Sequence, residues 1–471
     1  MHQKKSVRAN CGVVGVYGHP DAAKLSYLSL FSLQHRGQES AGVVSSDNGN
    51  INIHRGLGLV SDIFSDPAIF QQLSGRIAIG HNRYSTTGGN ILENVQPLVM
   101  NLGIGPIAVS HNGNLVNSGT LRKNLLDKGS IFQTTSDSEI IIHLIAKSKE
   151  TGLLERIEDA ARQITGAYSL ILMTKDSIVA LRDPHGFRPL CMGKIGDSIV
   201  FASESCAFDL INAEYIRDVK PGEMIAVDET GIHEKMLFPE QRHAFCIFEF
   251  IYFSRPDSRI FGEYVDKTRR KFGKNLAKVK PQDADIVISV PDSSNTAALG
   301  YANASQTKFE IGLIRNHYIG RTFIHPIQSQ RDFNVKIKFN TVGGVLKDKR
   351  VIVIEDSIVR GTTLRNLVKL IKNAGAKEVH VRVSSPPIIA PCYYGMDFPT
   401  KGELIANNKS VEEIRSYLDV DSLEYFPLDS LVDSVENGRT HYCTACFSGD
   451  YPVEIKEDFE KNQYEMNIKS C

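Results

Sequence analysis

The chain has 471 residues, 42% of them hydrophobic, and its 54 Lys and Arg residues equal its 54 Asp and Glu residues in number. This length and apolar content predict two or more globular domains and exclude a disordered protein. A net charge of zero gives no global field that favours nucleic acid, so local groups must bind any anionic ligand. No stretch approaches the roughly 18 apolar residues of a membrane span, and no apolar run of a signal peptide follows the basic opening MHQKKSVRAN, so we expect an unsecreted, cytoplasmic chain.

The first half of the sequence predicts a layered domain. From Cys11 to about residue 240, short apolar runs such as RIAIG and AYSLILM alternate with turn residues at the close spacing typical of antiparallel strands. Helical patterns interrupt these runs at 23–34 and 136–149. We therefore expect an α+β domain over 11–240, preceded by ten residues that show no pattern of a folded element.

Cys11 stands at the head of the first predicted strand. If residues 1–10 are removed, its α-amino group, with a pKa of about 7.7–8.0, becomes a base beside the thiol, so one residue supplies both nucleophile and proton acceptor. In a chain that keeps Met1 this nitrogen is an amide and cannot act as a base. A lone cysteine is more often a buried strand residue without chemistry, so the accompanying residues decide between the two interpretations.

Four polar strings accompany Cys11 at predicted strand ends: QHRGQESAG (34–42), HNRYSTTG (81–88), SHNGNL (110–115) and TSDSE (135–139). Together they offer what hydrolysis of the glutamine amide needs, namely an arginine for the α-carboxylate, a carboxylate for the α-ammonium group and an Asn-Gly donor pair for the oxyanion. Cys11 and these strings resemble the N-terminal-nucleophile glutamine amidotransferases over essentially all of 11–240.

This resemblance implies an αββα fold and a role for each matching residue. The implied roles are Cys11 as nucleophile, Arg83 on the glutamine carboxylate, Asp137 on its ammonium group, the Asn112 side chain and the Gly113 backbone N–H as oxyanion hole, and Arg36 as a residue that orders the site. The flanking histidines are interpreted as scaffold residues without a catalytic role: His35, His81 and His111.

After about residue 245 the pattern of the sequence changes. The runs DADIVISV and RVIVIED are β-branched without polar alternation, and each precedes a turn and a helical pattern, which is typical of βαβ units around a parallel sheet. The second unit predicts a strand at 350–354, a loop at 355–361, a helix that stops at Gly375 and a strand at 378–383. We therefore expect an α/β domain with a parallel sheet over 241–471.

The string VIVIEDSIVRGTT (351–363) runs from the predicted strand into the predicted helix. A helix N-terminus with nearby hydroxyls suits a phosphate, and paired acids suit the vicinal hydroxyls of a ribose. The string resembles the phosphoribosyl-pyrophosphate (PRPP) motif of type I phosphoribosyltransferases, whose members often have Asp where this chain has Glu355. The resemblance implies that PRPP is bound by the whole motif: Glu355, Asp356, Ser357, Arg360, Gly361, Thr362 and Thr363.

Two further segments are candidates for phosphate binding. The string ISVPDSSNTAALG (288–300) places Asp292 and Ser293 at the end of another predicted strand, where a pyrophosphate could lie. The segment 321–340 is long, basic and without clear period, which is typical of a mobile lid but also of a solvated charged loop. As a lid it would bring four cations to the phosphates: Arg321, Arg331, Lys336 and Lys338. PRPP chemistry also implies a divalent ion, Mg²⁺, held through PRPP near Ser293, Glu355 and Asp356.

In this order, the two halves resemble the amidophosphoribosyltransferase family from Cys11 to about Pro452. The resemblance implies an enzyme that frees ammonia from glutamine and joins it to C1 of PRPP with loss of pyrophosphate, giving 5-phosphoribosylamine, the first committed step of de novo purine synthesis. It also implies a homo-oligomer, a tetramer, inhibited by purine nucleotides. The PRPP motif argues against a synthase with another acceptor domain, and a PRPP-sensing regulator would leave the nucleophile site without a purpose.

Eight cysteines in a chain without a signal pattern are more typical of thiols or metal ligands than of disulfides. The pair Cys443-Thr-Ala-Cys446 by itself fits half a zinc site, a redox dithiol or neither. One branch of the amidophosphoribosyltransferase family carries a short propeptide, matched here by residues 1–10, and a four-iron, four-sulfur (4Fe-4S) cluster, with contexts similar to FCIFEFIYFSRPDS, SPPIIAPCYYG and HYCTACF. The resemblance implies a structural cluster that ties the C-terminal extension to its domain, with zinc as the rival metal. The implied ligands are Cys246, Cys392, Cys443 and Cys446, whereas Cys191, Cys206 and Cys471 match no ligand position.

Overall fold

The computed structural model describes residues 11–84, 88–316, 338–396, 398 and 400–455. In the first half of the chain, the described residues form thirteen strands. These are β1 (Gly12–Tyr17), β2 (Ser40–Asp47), β3 (Asn50–Leu57), β4 (Ile77–Arg83), β5 (Leu98–Leu102), β6 (Gly105–Leu115), β7 (Gly166–Met173), β8 (Ile178–Arg182), β9 (Cys191–Ile195), β10 (Ser198–Ala202), β11 (Glu214–Asp218), β12 (Glu223–Asp228) and β13 (Gly231–Met236). Its helices are α1 (Ala22–Ser32), α2 (Val60–Ile63), α3 (Ile69–Gln72), α4 (Ser118–Asp127), α5 (Ser138–Lys147), α6 (Leu153–Gln163) and α7 (Cys206–Asp209), with one 3-10 turn, Leu92–Asn94.

These strands form two stacked antiparallel sheets. One has seven strands in the order β11-β9-β10-β1-β4-β2-β3, and the other has six in the order β13-β12-β8-β7-β6-β5. Buried side chains such as Val13 and Ile79 of the first sheet meet Ile171 and Ala180 of the second to form the core between them. Helix α1 covers the outer face of the first sheet, and α5 and α6 cover the outer face of the second. The αββα layering is therefore confirmed.

Among the described residues of the second half there are eleven further strands, mostly short. These are β14 (Phe245–Cys246), β15 (Arg259–Ile260), β16 (Glu263–Tyr264), β17 (Ile286–Ser289), β18 (Lys308–Phe309), β19 (Leu313–Arg315), β20 (Phe339–Thr341), β21 (Arg350–Glu355), β22 (Glu378–Val383), β23 (Ser422–Tyr425) and β24 (Tyr442–Cys443). The helices are α8 (Val265–Val279), α9 (Asn295–Ser305), α10 (Gly343–Leu346), α11 (Thr362–Asn373), α12 (Ile405–Asn408), α13 (Val411–Leu418), α14 (Leu428–Val432), α15 (Gly438–His441) and α16 (Ala445–Ser448), with a π-helical turn, Glu249–Phe253, and a 3-10 turn, Lys401–Glu403.

A five-stranded parallel sheet, β18-β17-β21-β22-β23, is the centre of the second half. Helices α8 and α9 pack on one face, and α11 and α13 pack on the other. In the β17–β21 ladder Ser289 is aligned with Ile354. The loops that follow these two strands therefore leave the sheet side by side, at the edge where ligands bind in open α/β sheets. The predicted parallel sheet is confirmed.

Two short segments far apart in the sequence also pair. Strands β14 and β24 are parallel, with Cys246 opposite Cys443. Two-residue strands give no periodic signal, so the sequence did not predict this pairing. Within the described ranges, no helix is both long enough and apolar enough to cross a membrane.

Candidate functional site

Cys11 lies at the start of β1, which runs between β4 and β10 in the first sheet. Its side chain is buried, and Sγ donates a hydrogen bond to the Tyr84 carbonyl oxygen at 3.3 Å. Burial raises the pKa of the thiol, while the hydrogen bond to Tyr84 and the charge of Arg83 lower it. Because the raising effect is the largest, a neighbouring base is needed to form the thiolate at neutral pH.

Arg83 and Asp137 lie close to Cys11, and both are almost fully buried. The Arg83 guanidinium donates to the carbonyl oxygens of Gly89 at 3.0 Å and Gly88 at 3.2 Å. An Asp137 oxygen accepts a hydrogen bond from the Leu115 backbone N–H at 2.9 Å. Burial lowers the pKa of Arg83, and Cys11 and Asp137 are among the groups whose charges raise it. The thiol thus has a cation and an anion near it, the pair of charges that an α-amino acid substrate requires.

Asn112 and Gly113 lie on β6, opposite Ser169 and Tyr168 of β7. The Asn112 amide nitrogen is buried and has no hydrogen-bond partner among the described residues. A Cβ atom added to Gly113 would lie 1.9 Å from the Ala167 carbonyl oxygen, so this position accepts only glycine. A buried amide donor without a partner is costly to a protein, and a bound ligand is one way to satisfy it.

Arg36 is fully buried, and its Nε atom donates to the Cys11 carbonyl oxygen at 3.0 Å. Its terminal nitrogens contact Glu249 at 3.0 and 2.9 Å and also Glu204. Although burial opposes its charge, the two carboxylates raise the pKa of Arg36, so it stays a cation. Arg188, also fully buried, joins the same group through Glu249 at 3.2 Å.

Three of these buried charges, Glu204, Glu249 and Arg188, were not identified from the sequence. The signal for Glu249 was available, since it is a lone acid within the apolar run FCIFEFIYF. Glu204 and Arg188 lie outside the long apolar runs of the sequence and gave no signal. The three scaffold histidines are hydrogen-bonded to neighbours: His35 to Glu204 at 2.8 Å, His81 to the His111 carbonyl at 3.1 Å, and His111 to Ser138 at 3.0 Å.

The loops after β17 and β21 meet at the carboxyl edge of the parallel sheet. The Ser293 and Ser357 hydroxyls each donate to Asp356 at 2.5 Å, so Asp356 joins the two loops. Burial raises the pKa of Asp356, and burial followed by the charge of Asp356 raises the pKa of Glu355. Asp292, which follows a cis peptide bond, pairs with Arg315 at 3.1 Å. Two acids with raised pKa values in a cleft are typical of a functional site.

The second of these loops ends at the N-terminus of α11. Gly361 has a φ of 72°, and a Cβ atom there would lie 2.9 Å from Ile405, so the tight turn requires glycine. Thr362 and Thr363 follow in the first turn of the twelve-residue helix and are exposed. Arg360 pairs with Glu403 at 3.3 Å, a partner that the sequence did not indicate. An anion at this helix end would meet free N–H groups and two hydroxyls.

The basic segment is only partly described. Lys338 is exposed immediately before β20, whereas Arg321, Arg331 and Lys336 lie outside the described residues. A different arginine lies near the PRPP motif and was not predicted. Arg269 is buried and donates to the Ser254 carbonyl oxygen at 2.8 Å. Burial lowers its pKa to about 10, and among the nearby acids the charge of Asp356 acts most strongly to raise it.

The four predicted ligand cysteines line one cavity that is partly open to solvent: Cys246, Cys392, Cys443 and Cys446. Aromatic side chains, among them Phe187 and Phe248, complete the wall. Burial raises the pKa of every one of these thiols, that of Cys246 to about 11, and Arg188 opposes this at Cys246 and Cys392.

Across the described part of the chain no three His, Cys, Asp or Glu side chains already stand at metal-binding geometry. The four cysteines nonetheless line one cavity together. Cys191 and Cys206 are buried within the first domain's helix-covered core, and Cys471 lies outside the described residues.

Comparison with known proteins agrees with this geometry. Residues 81–209 match the glutamine amidotransferase domain family. The chain is 54% identical over 455 residues to the chloroplastic amidophosphoribosyltransferase of Vigna aconitifolia, covering 96% of this chain and 93% of the relative. It is 45% identical over 459 residues to the amidophosphoribosyltransferase of Bacillus subtilis, covering 96% of each chain.

Two solved structures also superpose on this fold. The glutamine PRPP amidotransferase from B. subtilis complexed with ADP and GMP has a TM-score of 0.91 at 44% identity, covering 95% of this chain and 98% of that one. A structure described as the allosteric regulatory enzyme of purine biosynthesis has a TM-score of 0.91 at 45% identity, covering 95% and 97%. The chain therefore belongs to the amidophosphoribosyltransferase family and is a glutamine-dependent pentosyltransferase of purine biosynthesis.

Proposed function

We propose that Cys11, freed by removal of residues 1–10, is the glutaminase nucleophile of this enzyme, and that residues 11–240 and 241–471 are its two catalytic domains. Arg83 binds the α-carboxylate of glutamine, and Asp137 binds its α-ammonium group. The observation that carries the proposal is the buried Asn112 amide, which has no partner among the described residues and lies one residue before Gly113 on β6.

The chemistry then follows from these positions. The α-amino group of Cys11 takes the proton from Sγ, and the thiolate attacks the amide carbon of glutamine. The oxyanion receives hydrogen bonds from Asn112 Nδ2 and the Gly113 backbone N–H. Ammonia leaves with the transferred proton, and water hydrolyses the thioester to glutamate. Arg36 holds the Cys11 carbonyl and so keeps the nucleophile in place.

In the second half, the helix N-terminus binds the 5-phosphate of PRPP through Ser357, Gly361, Thr362 and Thr363, with Arg360 beside them. Glu355 and Asp356 accept hydrogen bonds from the ribose hydroxyls, and Asp292 and Ser293 lie at the pyrophosphate. Ammonia attacks C1 as the C1–oxygen bond to pyrophosphate breaks, a step that depends on positioning and charge neutralisation more than on a proton donor. The cations proposed for the leaving group are Arg321, Arg331, Lys336 and Lys338.

Two inorganic groups fit the side chains present. Carboxylate and hydroxyl oxygens of Glu355, Asp356 and Ser293 are the hard donors that Mg²⁺ prefers, and Mg²⁺ would neutralise charge on the pyrophosphate. Four thiols around one cavity fit a 4Fe-4S cluster, which would tie the C-terminal extension to its domain. Iron and acid-labile sulfide at about four each per chain would support the cluster, whereas one zinc and no sulfide would replace it with the rival metal.

We also expect a homotetramer in the cytoplasm that purine nucleotides inhibit. The ADP and GMP in the B. subtilis complex support the nucleotide part for this chain. The plant relatives are named chloroplastic, which is a statement about those proteins. Cytoplasmic placement rests on the sequence pattern, and the tetramer rests on the family resemblance.

The test is intact mass and N-terminal sequencing of anaerobically purified protein, together with pyrophosphate release that depends on glutamine and PRPP. A chain that begins at Cys11 and needs both substrates would support the scheme. A chain that keeps Met1 and forms no glutamate would overturn the N-terminal mechanism, and activity with free ammonium would then leave only the transferase half.

A further inference from the structure

Four charged side chains without solvent exposure form one group, the buried charge cluster: Arg36, Arg188, Glu204 and Glu249. Three of them come from the first half of the chain, and Glu249 comes from the π-helical turn in the second half. Both Glu249 oxygens are occupied. They accept from Arg36 at 2.9 and 3.0 Å, from Arg188 at 3.2 Å and from the Ser254 hydroxyl at 2.8 Å.

Stability alone is a poor reason for this arrangement. Taking charges out of water costs several kcal/mol for each ion, and packed apolar side chains in place of a buried ion pair are often equally stable. The direction of the cluster's other hydrogen bonds is more informative. Arg36 uses Nε, the nitrogen that Glu249 does not bind, on the Cys11 carbonyl at 3.0 Å.

Arg188 extends the cluster to the opposite side of the candidate glutaminase site. It donates to the Tyr394 carbonyl oxygen at 3.0 Å, within the loop that begins at Cys392. The same loop lies against β6, the strand that carries Asn112 and Gly113. The Asn114 amide donates to the Tyr393 carbonyl at 3.0 Å, and a Cβ atom on Gly395 would lie 3.0 Å from Gly113. One carboxylate therefore fixes both the backbone of the nucleophile and the loop that packs on the oxyanion donors.

We propose that Glu249, contributed by the phosphoribosyltransferase half, is a positioning residue of the glutaminase site, an inference that rests on the proposed role of Cys11. Its carboxylate holds both terminal nitrogens of Arg36, so that Nε points at the Cys11 carbonyl. Without that charge, Arg36 is free to turn towards Glu204, and Cys11 loses a fixed position relative to Asn112. Glu249 touches neither substrate, and it acts on catalysis through Arg36.

The experiment compares Glu249→Gln with Glu249→Asp and with a matched control, Glu223→Gln. Glu223 is a buried carboxylate of the first half that pairs with Arg217 at 2.7 Å, away from the cluster. For each variant, kcat and KM are measured with glutamine and, separately, with ammonium. The rate at which a glutamine-analogue diazoketone modifies Cys11 is measured as well.

For Glu249→Gln we expect kcat with glutamine to fall about 100-fold, the effect of displacing a reacting group by about 1 Å, with a smaller change in KM. Cys11 modification should slow in parallel, and ammonium-dependent pyrophosphate release should stay within about twofold of wild type. Glu249→Asp should restore part of the glutamine reaction, and Glu223→Gln should leave the ratio of the two activities unchanged.

Ser254→Ala provides a milder variant if Glu249→Gln does not fold. It removes one hydrogen bond to Glu249 and keeps all four charges, so the same selective loss is expected at about fivefold. Equal losses with glutamine and ammonium, or no change in their ratio in either variant, would overturn the role of Glu249. A wild-type enzyme that uses ammonium but not glutamine would instead overturn the proposed role of Cys11, so the two failures are distinguishable.

Discussion

The two candidate sites are built in opposite ways. In the candidate glutaminase site, the residues proposed as nucleophile, substrate-binding charges and oxyanion donor are all at most 7% exposed: Cys11, Arg83, Asp137 and Asn112. In the PRPP site, Thr362 and Thr363 are exposed, and Glu355 is half-buried. Most of the first site rests on strands of two packed sheets, with Asp137 at the N-terminus of α5, and the second rests on loops at one sheet edge.

The difference follows from the chemistry of each reaction. Attack on an amide develops charge on one oxygen, so donors fixed at a single point supply most of the stabilisation. Displacement of pyrophosphate spreads charge over many oxygens, which loop N–H groups and hydroxyls can meet together. Substitutions in the glutaminase site, the strand-built site, should therefore lower the rate with glutamine strongly and leave the rate with ammonium unchanged. Substitutions in the loop-built site should affect glutamine and ammonium reactions alike.

The largest expected effect is that of Cys11→Ser. Loss of the thiolate nucleophile should lower glutamine-dependent kcat by about 10⁴-fold or more, as removal of other enzyme nucleophiles does, and leave the ammonium reaction intact. Initial rates of pyrophosphate release with each nitrogen source measure both. Cys191→Ser, at a buried cysteine of the same sheet, is the control and should keep the glutamine reaction. A Cys11→Ser enzyme that still hydrolyses glutamine would remove the N-terminal mechanism.

Asn112→Ala tests the oxyanion donor. Removal of one such donor costs about 2.7–4 kcal/mol, so kcat with glutamine should fall by about 10²–10³ while KM changes little. Stability should not suffer in proportion, because the Asn112 amide nitrogen has no partner to lose among the described residues. Thermal unfolding measured alongside the kinetics separates the two effects. If Asn112→Ala instead lowers the unfolding temperature and both reactions equally, the amide has a structural role.

Asp356→Asn tests the PRPP site, where the loss of activity should be the same with glutamine and with ammonium. Asp356 joins the two loops through Ser293 and Ser357, so its loss should weaken PRPP binding and lower kcat/KM for PRPP about 100-fold with either nitrogen source. Asp283→Asn is the control, because Asp283 pairs with Arg350 at the opposite, amino end of the same strand. A loss confined to the glutamine reaction would contradict the assignment of this edge to PRPP.

The same contrast explains what the sequence could predict. The strings around Cys11 and the PRPP motif are continuous in sequence, so a family resemblance could propose roles for their residues, and the periodic strands and helices indicated the layering of both halves. The buried charge cluster could not be predicted, since Glu249 and Arg36 lie 213 residues apart and are brought together only by packing of the two halves. Arg269 was missed for a different reason: its hydrogen bonds are to backbone carbonyl oxygens, which leave no mark in a side-chain pattern.

The smallest effect concerns acid stability, and it should differ in sign between the two sites. Burial lowers the pKa of His81 to about 3, far below the value of about 6.5 expected in an unfolded chain. The unfolded state therefore takes up this proton first, and the stability that neutral His81 gives is lost progressively as the pH falls below about 6.5 towards about 3. Glu355 and Asp356 have raised pKa values, so the folded state binds their protons first, and acidification relieves the cost of burying them.

His81→Gln should therefore flatten the decrease in urea-unfolding midpoint, followed by circular dichroism between about pH 7 and pH 4, whereas the exposed His233→Gln should not. Asp356→Asn should make this decrease steeper. The wild-type folded state gains stability when Asp356 is protonated in acid, and the variant loses that gain. If His81→Gln keeps the wild-type slope, burial of His81 does not limit acid stability. The strand-built site would then contribute nothing to the loss of folding stability in acid, and the two sites would differ only in geometry.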